Sequence, residues 1–139
     1  MKRTVKTTAL LLLAVMLLLL AVSCGQKVNA EGLWENATYL SDTTVGEGAN
    51  TVTVVIKAGE QSITLTVKTD KATLGEALYE LEIINDPSFF DTCNGILASW
   101  DKDQAYWGFC QNGETLPYGV GDEKATTAGN PTYELVYTK

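Results

Sequence analysis

The chain contains no histidine in its 139 residues. That absence removes Ser-His-Asp triads, Cys-His dyads, imidazole-based zinc sites and any imidazole ligand to cobalt or haem iron. Ser62, Ser88 and Ser99 are left without a base to activate them. Positive charge is also scarce, with 10 Lys and Arg against 17 Asp and Glu and a formal net charge of −7. A surface that acidic repels phosphate backbones, so no nucleic-acid partner is expected, and it disfavours anionic lipid headgroups too. Gly46-Glu47-Gly48 lacks the third glycine and the helix start of a phosphate-binding loop. Asp101 and Asp103 are the nearest thing to a carboxylate pair, but no further ligands follow at calcium-loop spacing, so they read as a solvated turn. No constellation carries catalysis or a metal, and the chain reads as a non-enzyme that requires no cofactor.

Long apolar runs are missing except for one. Ala9 to Val22 is unbroken, follows the positive head Lys2, Arg3 and Lys6, and is too short for a comfortable membrane span. It leads into Leu20-Ala21-Val22-Ser23-Cys24, which resembles the lipobox of bacterial lipoproteins. The resemblance implies cleavage before Cys24 and lipidation of that residue, which would anchor the protein on the extracytoplasmic face of the cell membrane. Ordinary secretory cleavage near Ala30 is the alternative. The expected organisation is a signal peptide over 1–23, an anchor, tether and N-terminal arm over 24–49, and one small domain over 50–139. Loss of the leader takes the net charge from −7 to −10. Cys93 and Cys110 are the two other cysteines, and the compartment allows either a disulfide between them or two free thiols.

Leu33 to Leu40 spends a Trp and a Tyr and reads as an arm packed on the domain, followed by a flexible link at Gly46-Glu47-Gly48. Val52, Val54 and Ile56 alternate with Thr51, Thr53 and Val55, and Ile63, Leu65 and Val67 with Ser62, Thr64, Thr66 and Lys68, which predicts a hairpin around Ala58-Gly59-Glu60. Thr73 and Glu76 have the spacing of a capping box, and Leu74, Ala77, Leu78, Leu81 and Ile84 continue at helical spacing until Asn85-Asp86-Pro87. Strands are expected over 89–93 and 96–100, with a tight turn at Asp101-Lys102-Asp103. Another strand is expected over 105–111, a turn at Asn112-Gly113, and a closing strand over 132–138. The order predicts an α+β domain of the β-grasp type, with one helix packed on a mixed or antiparallel sheet of about five strands.

The stretch of most interest is Ala105 to Asp122, where Trp107 and Phe109 alternate onto one face before the turn to Leu116, Pro117 and Tyr118. These aromatics are either core facing the helix or a platform for a flat ligand. Tyr106-Trp107-Gly108-Phe109, Leu116 and Gly119-Val120-Gly121-Asp122 resemble the carboxy-terminal β-domain of intrinsic factor and transcobalamin. Thr73-Leu74-Gly75-Glu76-Ala77-Leu78, Tyr133-Glu134-Leu135-Val136-Tyr137 and Leu33 to Tyr39 are similar to the bacterial transcobalamin-like C-terminal family, often found on lipoproteins. The resemblance implies a β-grasp-related ligand-binding domain. It also implies cobalamin or another corrinoid as ligand, held by Trp107, Phe109 and Leu116 with Tyr118 and Val120 beside them. A second reading makes the same corner, or a sheet edge, a docking module for a cell-surface protein or transporter.

Overall fold

Two strands of strict alternation start the fold. In the computed structural model, which describes residues 27–125 and 130–139, β2 (Asn50–Ala58) and β3 (Gln61–Thr69) pair antiparallel. Gly59 takes the left-handed conformation at the turn between them, with φ +62°. Val52, Val54, Ile56, Ile63, Leu65 and Val67 all point to one fully buried face, as the period-2 pattern predicts. The opposite face carries Thr51, Thr53, Thr64 and Thr66 and is only half covered.

The helix α1 (Leu74–Glu80) follows and buries Leu74, Ala77 and Leu78 beneath it. Half of the expected capping box forms: the Thr73 hydroxyl accepts the Glu76 amide at 3.2 Å, while the return bond from the Thr73 amide to the Glu76 carboxylate is absent among the described residues. Its end comes earlier than the sequence periodicity implies, because Glu82 turns left-handed at φ 57° and carries Ile83 and Ile84 into the core as irregular chain.

The remaining strands complete the sheet around the hairpin. β8 (Thr132–Thr138) inserts in the middle, parallel to β2, and β6 (Tyr106–Gln111) pairs antiparallel with β8. β7 (Glu114–Thr115) extends the far edge through a two-residue turn at Asn112 and Gly113, both with positive φ, the geometry that makes Asn-Gly the favoured hairpin pair. The first and last long strands lie side by side and parallel under one helix, which is the β-grasp arrangement. The fold is α+β, as the sequence implies.

Three features differ from the sequence reading. The stretch read as a flexible link begins within β1 (Thr43–Gly46), a sixth strand parallel to β3, so the sheet order is β1-β3-β2-β8-β6-β7. A Cβ on Gly46 would lie 2.3 Å from the Lys68 carbonyl oxygen, so the glycine permits a close backbone approach that the sequence alone does not reveal. The two strands expected over 89–93 and 96–100 shrink to a small separate ribbon, β4 (Thr92–Cys93) with β5 (Ile96–Leu97). The turn at Asp101-Lys102-Asp103 is a single-turn helix over Trp100–Asp103, capped by the Ser99 hydroxyl and closed by Gln104 at φ 52°.

The arm is fastened at two points. Trp34 is buried and its indole N–H donates to the Ala58 carbonyl at 3.0 Å. Asn94, 0% exposed, receives the Tyr39 amide on Oδ1 at 2.8 Å and donates from Nδ2 to the Tyr39 carbonyl at 2.9 Å. No helix of the described residues is long and apolar enough to cross a membrane. The expected signal segment 1–23 and the lipidation residue Cys24 lie outside the described residues.

Candidate functional site

β6 supplies the floor of the site. Trp107 pairs with Tyr137 and Phe109 with Leu135, which places both aromatics on the helix-covered face of the sheet. They are 9% and 7% exposed, so most of each ring is core and only an edge reaches solvent. The Trp107 indole donates to the Ile96 carbonyl at 3.2 Å and meets Tyr137 edge-on at 5.8 Å. Phe109 contacts Tyr133 at 5.3 Å and Tyr118 edge-on at 6.3 Å between ring centres. Between the two sequence alternatives, the structure gives a hybrid: core aromatics whose rims form the bottom of a cleft.

That cleft has a volume of about 390 Å³, and all five residues singled out from the sequence line it: Trp107, Phe109, Leu116, Tyr118 and Val120. Leu116 is half-buried on the far wall, Tyr118 stands 41% exposed at the mouth, and Val120 is buried beneath. The cleft also has a wall that sequence reasoning missed, formed by Ser88, Phe89 and Phe90. Phe89 is 95% exposed. Its loop is held by Asp86, whose Oδ1 accepts the Ser88 and Phe89 amides at 2.8 Å each. Those two amides, Phe89 first, hold the Asp86 carboxyl below its ordinary pKa. Asn85 adds a second clasp, taking the Asp91 and Thr92 amides on Oδ1 and donating to the Asp91 carboxylate. The signal for this loop was Asp86-Pro87-Ser88, a turn-forming triplet with an acceptor at its first position.

Two devices bring the walls together. On α1, a Cβ at Gly75 would fall 2.0 Å from the Pro87 carbonyl oxygen and 3.1 Å from the Gly121 Cα. Both loops therefore close over the helix start only because that residue is glycine. On the other wall, the Glu123 carboxylate takes hydrogen bonds from the Tyr118 and Tyr133 hydroxyls. The bond to Glu123 raises the Tyr118 pKa; burial first, and Glu123 second, push Tyr133 up to about 12. Glu123 also offers its backbone carbonyl to the Leu74 amide at 2.9 Å, tying this loop to the helix start.

The cysteines are not joined. Cys93 is buried in the β4–β5 ribbon within the main core, whereas Cys110 alternates with Phe109 and so points to the opposite, open face of the sheet. Both are free thiols, which corrects the disulfide alternative left open by the sequence; the sheet itself stands between their side chains. Burial raises the Cys93 thiol pKa strongly. Among the described residues, no group of three or more His, Cys, Asp or Glu is placed to hold a metal ion.

No family model matches the chain, and no curated protein matches it. Among solved structures it is similar to a protein from Ruminococcus gnavus ATCC 29149, provisionally described as metal-binding. That match has a TM-score of 0.58 and 22% identity and covers 66% of this chain and 98% of that one. It also matches haptocorrin in complex with Cbi, at a TM-score of 0.48 and 16% identity over 65% of this chain and 25% of haptocorrin, so it spans a quarter of that protein's length. The first likeness shows a shared fold, extending over nearly the whole of the Ruminococcus chain.

Proposed function

We propose that this is a non-enzymatic ligand-binding domain, lipid-anchored through Cys24 on the extracytoplasmic face of the membrane, whose aromatic cleft receives a flat corrinoid ligand. One observation carries the reading: Trp107, Phe109, Leu116, Tyr118 and Val120, picked out by the transcobalamin-like resemblance, border a single cleft. Its chemistry suits a broad, mostly apolar molecule. Ring edges form the floor, and the exposed aromatics Phe89, Tyr106 and Tyr118 border it. Calorimetry and visible absorbance with cobalamin and cobinamide test it. Saturable heat with a spectral change supports the corrinoid ligand, and neither at high micromolar concentration contradicts it. Anchoring is tested by fractionation, where Cys24→Ser is expected to move the protein from membrane to soluble extracytoplasmic fractions.

A second reading, docking onto a surface protein, is favoured by a different feature. Leu97, Trp100 and Tyr106 are all half or more exposed, and the last two rings approach to 6.4 Å, running outward from the cleft border that Tyr106 forms. Capture of one dominant partner, unaffected by added corrinoid and lost in Trp100→Ala, would favour it.

A further inference from the structure

Along the outer side of β6, Trp107 is the position in the cleft wall with both backbone groups unpaired among the described residues. In an antiparallel ladder, successive residues turn their N–H and C=O groups alternately to the two sides. The Phe109 carbonyl accepts the Leu116 amide at 2.9 Å, and the Ala105 amide donates to the Ser99 carbonyl at 3.2 Å. Residues 105, 107 and 109 therefore face away from β8, while Gly108 faces it. Trp107 sits between these two half-paired positions, and neither its N–H nor its C=O has a partner among the described residues. Continuing the register of Cys110 with Thr115 would put Tyr118 opposite it, but the chain bends away at Pro117 and Tyr118. Backbone groups in such a half-covered position are seldom left unpaired.

The molecule fills the same arrangement elsewhere with a carboxamide. Asn94 satisfies both backbone groups of Tyr39 at once, accepting the N–H at 2.8 Å and donating to the C=O at 2.9 Å. Trp107 offers the same donor and acceptor pair toward a cleft whose wall, Phe89, is held fully exposed by Asp86.

We propose that the Trp107 N–H and C=O form a subsite for a carboxamide of the bound ligand, docking there as the Asn94 carboxamide docks on Tyr39, with Phe89 as the wall beside it. This rests on the ligand-binding reading above, since cobinamide carries such amides around its ring. Residue-resolved amide hydrogen exchange on the protein tests it. In the free protein the Trp107 amide should exchange roughly tenfold or more faster than the β8-facing Gly108 amide. Saturating cobinamide should slow Trp107 by a similar factor and leave Gly108 unchanged, while cobyrinic acid, with carboxylates in place of the amides, should not. A slow Trp107 amide in the free protein overturns the subsite. So does cobinamide binding that leaves Trp107 exchange untouched, or equal protection by cobyrinic acid; in both cases the corrinoid reading survives. Protection by a capped extended tripeptide but not by cobinamide assigns the edge to a peptide and overturns the small-molecule source. Absence of any cobinamide binding overturns the functional reading, and the subsite with it.

Discussion

The indole of Trp107 donates to the carbonyl of Ile96 at 3.2 Å, so the floor of the cleft is bolted to the β4–β5 ribbon through one side chain. Trp107 is thus a structural residue before it is a contact residue. Trp107→Ala is expected to cost about 3–5 kcal/mol of stability by cavity formation. Trp107→Phe should cost less, chiefly the roughly 1–3 kcal/mol of leaving the Ile96 carbonyl unpaired. Urea denaturation of both variants checks the order.

Phe89 is the opposite case. With its ring 95% exposed, Phe89→Ala should leave the unfolding midpoint unchanged while weakening ligand binding by roughly tenfold, about 1.4 kcal/mol. Thermal melts and titrations on the same preparation separate the two effects.

Gly75→Ala sets helix propensity against packing. Alanine would favour an isolated helix by about 1 kcal/mol. Here its Cβ would collide with the Pro87 carbonyl at 2.0 Å. Net destabilisation and a weakened cleft are expected; a raised midpoint would show that the loops above the helix start yield freely.

Two tyrosines should titrate late. Tyr133 has its pKa raised to about 12 and Tyr118 is raised as well, with Glu123 hydrogen-bonded to both. Because the folded values lie above the unfolded value of about 10, this stabilisation is complete below pH 10 and is lost as pH rises through the folded values. In ultraviolet titration, Glu123→Gln should shift both ionisations to lower pH. The acid side runs the other way. Glu134 is lowered by Lys57 first and by the Gly113 amide second, so its contribution holds above the unfolded value of about 4.3 and fades as pH falls through the folded one. Both partners reach solvent, and the effect on stability should be small.

Thiol labelling reports which face each cysteine occupies. Cys110, half-buried on the open face, should alkylate in the native protein, and Cys93 only after unfolding. Mass spectrometry of the two peptides distinguishes them.

The hairpin, the Asn112-Gly113 turn and the closing strand were legible because period-2 alternation and paired positive-φ residues are local signals. The cleft floor was legible only in part. Alternation put Trp107 and Phe109 on one face, but which face the helix covers depends on β8 entering between β2 and β6. β1 escaped notice because four residues with one buried valine are too short to show a period. Phe89 was read as the start of a strand, since its exposure is decided by backbone amides donating to the Asp86 and Asn85 side chains, not by hydrophobic pattern. The helix ended early for a similar reason: a left-handed Glu82 is a tertiary outcome that no stop signal announced.

The central claim is that the cleft over Trp107 and Phe109 binds a flat, amide-bearing ligand. Calorimetric titration of wild type and Phe89→Ala with cobinamide tests it most directly. Saturable heat in the wild type, weakened in the variant at an unchanged unfolding midpoint, is the predicted result. No heat in the wild type, or identical isotherms for the two proteins, would contradict it.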